Sequence, residues 1–197
     1  WNWPGKEGQP IKVMVLSNVK NVDLLLNGIS LGEKDVDRIM GGEWAVPFAP
    51  GKLEAVAKED GKEIARCAVE TTGEPVTLKL IPDRDSLAGD GADAQPITVC
   101  AVDAQGHEVP TANLPVTFEI SGPGTIIGLG NGDNASHEPE KGTNRSLFNG
   151  LAQVIVQSRR AETGIVKLRA LSEGLKSAET MIKINVVTPR PFVAADF

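Results

Sequence analysis

KLEAVAKEDGKEIARCAVE, residues 52–70, is the stretch whose reading decides the fold. Two alternating runs meet at Asp60-Gly61, a dipeptide that accepts the positive φ angles of a two-residue hairpin turn. The same grammar appears upstream in VDLLLNGISLG (22–32), where Asn27-Gly28 supplies the turn. IKVMV (11–15) places Ile11, Val13 and Val15 on one face of a strand. EWAVPFA (43–49) reads as a further strand, with Trp44, Val46 and Phe48 alternating and Pro47 marking an edge or a bulge. Six strands are therefore expected in the first 70 residues, with helix signals nearly absent.

TTGEP (71–75) breaks the pattern and reads as a linker. A second set of strands follows. TLKLIP (77–82) turns Leu78 and Leu80 inward, and PITVCAVDAQGHEVP (96–110) is a strand with a turn at Gln105-Gly106. LPVTFEI (114–120) alternates Val116, Phe118 and Ile120 with Thr117 and Glu119. LAQVIVQS (151–158), GIVKLRALS (164–172) and AETMIKINVV (178–187) complete the set, the last with Ile182, Ile184 and Val186 on one face. Strands at this spacing, joined by glycine turns, describe β-sandwiches. The fold class is all-β, with one sandwich over 1–73, a second over 74–187 and a tail, TPRPFVAADF, over 188–197 that reads as a linker or loose terminus.

Composition narrows the function. The chain has 197 residues, a net charge of −6 and 41% hydrophobic residues. That charge argues against a nucleic-acid partner, which would show a basic patch. No apolar run approaches the ~18 residues of a membrane helix, so no membrane partner is expected. At ~25 cal/mol per Å² of buried apolar area, cores of this composition offset chain entropy without disulfides or metals. Cys67 and Cys100 do not make a disulfide framework; each lies in an apolar strand run, so both are expected as buried free thiols. The chain begins at Trp1 without Met or signal peptide, which reads as a piece of a longer or processed protein and leaves localisation open at the N-terminus.

One stretch stands apart from the strands: GLGNGDNASHEPEKG, residues 128–142. Asn131, Asp133, Asn134 and Glu138 are oxygen donors of the kind that hold calcium, but they lack the ladder of carboxylates of a dedicated loop. Asp133 with Glu138 is a conceivable glycosidic acid–base pair, but no aromatic platform accompanies it. Two histidines, His107 and His137, are too few for a zinc site with the cysteines available, and His107 sits in the turn DAQGHEVP as a solvated residue. No G-x-S-x-G, phosphate loop or H-E-x-x-H occurs. Long loops on compact domains are often functional, so Asn131, Asp133, Asn134, His137 and Glu138 are expected to form a loop that docks on a neighbouring domain or rims a cleft. No cofactor, metal or catalytic residue is expected. The N-x-S patterns at Asn134 and Asn144 are short enough to arise by chance and carry no weight. Trp1 and Trp3, beside Pro4 and Gly5, are expected either as a sugar platform or as surface covered by another part of a larger protein.

WNWPGKEGQPIKVMVLSN followed by VDLLLNGISLGEK resembles the segment directly after the catalytic barrel in glycoside hydrolase family 2, in the β-galactosidase branch common in gut Bacteroidetes. GLGNGDNASHEPEKG with RSLFNGLAQVIVQS resembles the last sandwich domain of the same enzymes, although the family often carries proline where Asn134 stands. The resemblance runs from Trp1 to about Val187 and implies immunoglobulin-like sandwiches, accessory to a barrel that holds the two catalytic glutamates. That barrel needs ~200–250 residues of alternating strands and helices, and none of that pattern is present here. The resemblance thus implies a non-catalytic part of a retaining β-galactosidase, with the parent's catalytic barrel as partner, Trp1 and Trp3 at the barrel-side seam, and a periplasmic or extracellular bacterial setting. Another subunit is a second candidate partner for the loop. The alternative class is a carbohydrate-binding or adhesin module, because AVDAQGHEVPTANLPVTFEISGPG also resembles bacterial immunoglobulin-like repeats.

Overall fold

The computed structural model describes residues 1–188 and 191, so all but Thr188 and Pro191 of the tail expected at 188–197 lies outside the described residues. The chain divides into two compact units, residues 1–72 and a second that begins at Gly73. Both are immunoglobulin-like sandwiches, and the described residues contain strands and no helix.

The first unit has six strands: β1 (Pro10–Val15), β2 (Asn21–Leu26), β3 (Ile29–Asp35), β4 (Gly42–Pro47), β5 (Lys52–Glu59) and β6 (Lys62–Glu70). Asn27 and Gly28 have φ of 52° and 79°, and Asp60 and Gly61 have 50° and 72°. Both pairs thus occupy the left-handed region that a tight hairpin turn requires. One sheet runs β3-β2-β5-β6 and the other is only β1-β4. Val22, Leu24, Leu53 and Ala57 from the wide sheet meet Trp44 and Val46 from the narrow one. The opposite face of the wide sheet is tied by charge: Arg66 bonds Glu54 at 2.9 Å and Glu63 at 2.8 Å, while Lys58 bridges Asp23 and Glu33.

Two strands cannot cover four. Trp44 donates its Nε1 to the Gly32 carbonyl at 3.2 Å, which seats β4 by β3. At the other margin β6 pairs Ala65, Cys67 and Val69 with Ala57, Ala55 and Leu53, the inward residues of β5. That inward row of β6 is nevertheless exposed. Cys67 is therefore not the buried thiol its apolar strand suggested, whereas Cys100 is fully buried. An alternating pattern says which face a side chain takes, not whether a second sheet extends over it.

The second unit adds β7 (Thr77–Pro82), β8 (Ser86–Ala88), β9 (Ala94–Val102), β10 (Pro115–Ser121), β11 (Gly124–Gly130), β12 (Asn144–Ser146), β13 (Leu151–Ser158), β14 (Gly164–Leu171) and β15 (Ala178–Asn185). The sheets are β12-β10-β14-β15-β8 and β11-β13-β9-β7. Val116 and Phe118 of β10, Val154 and Val156 of β13, Leu168 of β14 and Ile182 and Ile184 of β15 fill the space between them. Val186, expected to continue the inward row of β15, lies past the strand end and is 83% exposed. Among the described strands β8 alone pairs in parallel along its length, setting Ser86, Leu87 and Ala88 against Lys183, Ile184 and Asn185. A bulge at Ile127 shifts the register of β11 against β13 and keeps Leu129 pointing into the core.

Candidate functional site

The run from Gly130 to Asn149 is not one free excursion, because β12 interrupts it and pairs with the edge of β10. The Leu129 amide donates to the Glu140 carbonyl at 2.8 Å, and the Phe118 amide donates to the Thr143 carbonyl at 2.7 Å. Both ends of the loop are thereby stitched to strands.

Its centre is Arg145, a charged residue only 5% exposed. The guanidinium donates to Asn131 Oδ1 at 2.8 Å and to the Glu138 carbonyl at 3.0 Å. Its Nε stands 3.7 Å from Glu138 Oε2. The Glu138 carboxylate accepts from the Ser146 hydroxyl at 2.6 Å and from the Ser146 amide at 3.0 Å. Asn131 closes the circuit by donating Nδ2 to the Ser146 carbonyl at 2.9 Å. A buried guanidinium is tolerated only when paired and bonded in this way. No sequence signal pointed to Arg145, since a lone arginine in N-R-S has no pattern.

The expected loop residues thus separate by role. Asn131 and Glu138 are committed to the loop's own architecture. Asp133 caps a turn, its Oδ1 accepting from the Ala135 amide at 2.9 Å and its carbonyl from the Ser136 amide at 3.2 Å. Asn134 and His137 point to solvent. The Ser146 hydrogen bonds first, and the Arg145 charge after them, hold the Glu138 carboxyl below its ordinary value. A general acid for glycoside chemistry needs the opposite shift, a carboxyl raised so that it keeps its proton near neutral pH. Among the described residues no three His, Cys, Asp or Glu side chains converge as a metal site.

The N-terminal tryptophans also divide. Trp1 donates Nε1 to the Ala49 carbonyl at 2.9 Å and meets the Phe48 ring edge-on at 5.3 Å between centroids. The Thr71 hydroxyl donates to the Trp1 carbonyl at 2.6 Å, and Asn2 exchanges bonds with Thr72 at 2.8 and 3.1 Å. Trp1 is therefore a staple of the first sandwich. Trp3 is 40% exposed, with the Lys6 ammonium 5.5 Å from its ring centroid. A cation at that distance is held by the ring's π face.

Residues 78–181 match the family described as glycoside hydrolase family 2 C-terminal domain 5, and residues 8–65 match a domain of unknown function, DUF4982. The β-galactosidase BoGH2A of Bacteroides ovatus is 38% identical over 188 residues, which cover 94% of this chain and 21% of that protein. A β-glucuronidase of Formosa agariphila is 32% identical over 196 residues, covering 92% of this chain and 19% of that protein. The crystal structure of a glycosyl hydrolase family 2 member from Bacteroides cellulosilyticus superposes with a TM-score of 0.87 at 34% identity, over 93% of this chain and 25% of that one. The chain spans about a fifth of the length of the curated relatives it matches.

Proposed function

This chain belongs to the glycoside hydrolase family 2 C-terminal domains, and on that premise we propose that it is the non-catalytic accessory part of a longer retaining β-galactosidase, packing on and supporting the catalytic barrel. The observation that carries the reading is the 38% identity to a β-galactosidase across nearly the whole of this chain and only 21% of that enzyme. The geometry of the loop agrees with it. The carboxylate at the loop's centre is fixed by Arg145 and Ser146, and its charged form is favoured, which suits a rigid docking element and not a proton donor. Asn134 and His137, at the exposed tip, and the exposed face of Trp3 are the surfaces we assign to contact with the barrel or its cleft rim.

A β-glucuronidase parent is the second reading, favoured by the 32% identity to the Formosa agariphila enzyme. Hydrolysis of nitrophenyl β-galactoside against nitrophenyl β-glucuronide by the full-length parent separates the two. The chain alone should turn over neither. Turnover by the chain alone, abolished by Asp133→Ala or Glu138→Ala, would overturn the accessory role.

A further inference from the structure

Ala65 and Cys67 of the exposed inward row of β6 and Val15 at the end of β1 border a groove of about 460 Å³. Val15, Val22, Ala55, Ala57, Ala65 and Cys67 line it, with Arg38 among the polar residues around them. Val22 and Ala57 are buried at its base, while Ala65 and Cys67 are open to solvent. Among the described residues β1 pairs with β4 alone, so its other side presents backbone groups that no described strand pairs. Natural sheets blunt such an edge with charges, prolines or bulges. Here Pro10 and Lys12 guard one end, but the other end carries Met14 and Leu16, 53% and 71% exposed. Leu16 also lines the groove, whereas Ile39 and Met40, 86% and 74% exposed, belong to the turn before β4, where Gly41 packs against Leu16 and Met14 on the paired side of β1. An unguarded edge beside an uncovered apolar row is the geometry of a sandwich with one strand position vacant.

We propose that this groove is a strand-acceptor site, filled in the full-length hydrolase by an extended segment of that chain's own catalytic portion. The inference rests on the accessory role argued above and names the partner surface that role requires. The segment would pair with β1, widen the narrow sheet to three strands and cover Ala65 and Cys67. The lining selects its chemistry: small or medium apolar side chains at alternate positions inward, polar ones outward. Relatives of which this chain is 21% and 19% hold most of their length elsewhere. In a parent of that size the preceding polypeptide enters at Trp1, whose nitrogen donates to the carbonyl of Glu70, the last residue of β6, at 2.9 Å. Cys67 lies three residues back along that strand, ~10 Å at 3.3 Å per residue. A segment tethered so close has a high effective concentration, which a second copy of the chain lacks.

Cys67 makes the test direct. Native full-length parent is treated with iodoacetamide and each cysteine is followed by peptide mass spectrometry. Cys100, buried with its thiol pushed up to about 11, chiefly by that burial, marks the unreactive limit; the denatured protein marks the reactive one. Occupancy predicts that Cys67 reacts at least about tenfold slower than in the denatured chain, as a closed, rarely opening site does. A Cys67→Arg variant should lower the parent's Tm and restore protease cutting of the docked segment, while Cys67→Ala should do neither; because Cys67 is exposed within its own unit, neither substitution disturbs that unit's core. Reaction of Cys67 at the denatured rate overturns the proposal, and so does protection that vanishes on dilution, which would assign the groove to a second copy. Glycosidase activity is read on the same sample. An active parent with a freely reactive Cys67 refutes the acceptor site alone, whereas a parent that hydrolyses no glycoside refutes the accessory role itself.

Discussion

Replacing Arg145 with alanine tests whether the loop at 131–143 is a fixed element. The substitution removes two charge-assisted hydrogen bonds, at 2.8 Å to Asn131 and 3.0 Å to the Glu138 carbonyl. Bonds to a charged group contribute ~1.5–3 kcal/mol each. Asn131 Oδ1 keeps one donor, the Asp133 amide at 3.1 Å, so the two losses do not add in full. The Glu138 carboxylate also loses its nearby cation while keeping the Ser146 bonds. A net cost of about 3 kcal/mol follows, at the low end of the ~3–5 kcal/mol seen when one partner of a buried charge pair is removed. For a unit of this size that corresponds to a fall in Tm of roughly 10 °C. Differential scanning calorimetry reads the fall, and hydrogen exchange locates it, with the hydrogen-bonded amides of residues 129, 135, 136 and 138 losing protection before the core strands. Arg145→Lys should recover less than half, since one ammonium cannot reproduce the fork that spans Asn131 and Glu138. A Tm within about 2 °C of the parent chain, or loop amides that exchange no faster, would refute the claim that Arg145 organises the loop.

Two further perturbations follow from the same structure. Asp103, held chiefly by the Gly73 amide, and Glu138, held by Ser146, both have carboxyls depressed below their ordinary values. Their stabilisation is therefore complete above the unfolded carboxylate range of about 4 and is lost as pH falls through their lower folded values. Acid unfolding should steepen below about pH 4, and Glu138→Gln should flatten part of that limb; an unchanged limb would count against it. Gly150 and Gly28 both have positive φ, 82° and 79°, but a Cβ at Gly150 would sit 2.3 Å from the Val109 carbonyl oxygen whereas one at Gly28 meets open space. Gly28→Ala should cost roughly 1–2 kcal/mol from backbone strain alone, and Gly150→Ala clearly more in urea titrations; equal costs would show that the chain around Val109 gives way.

What was legible in the sequence was what depends on neighbours along the chain. The hairpins at Asn27-Gly28 and Asp60-Gly61 follow from turn chemistry, and the inward rows of β10 and of β15 as far as Ile184 follow from alternation; the same rule put Trp44 on one face with Val46, and both are buried. The all-β class and the family resemblance came from the same local patterns and quoted motifs. What escaped depends on partners far away in sequence. β8 is three residues within a run of glycines and aspartates and exists only because β15 lies alongside it. β11 runs into the glycine loop and β12 follows directly after it, their register set by β13 and β10. The exposure of Cys67 depends on the width of a different sheet. Of the five loop residues singled out from sequence, Asn131 and Glu138 bond directly to Arg145, and Arg145 itself carried no sequence signature.

The placement of β15 bears on how the protein is made. Although it is the last strand among the described residues, it occupies an interior lane of its sheet, with β14 on one flank and β8 on the other. As a ribosome delivers the polypeptide from the amino end, β8 emerges early and must wait, unpaired, for a partner from the far end of the unit. The second sandwich cannot close vectorially; it snaps shut only when residues 178–185 have cleared the exit tunnel. A nascent chain that stalls before Ala178 would leave β14 and β8 as two raw margins, a natural substrate for holding chaperones.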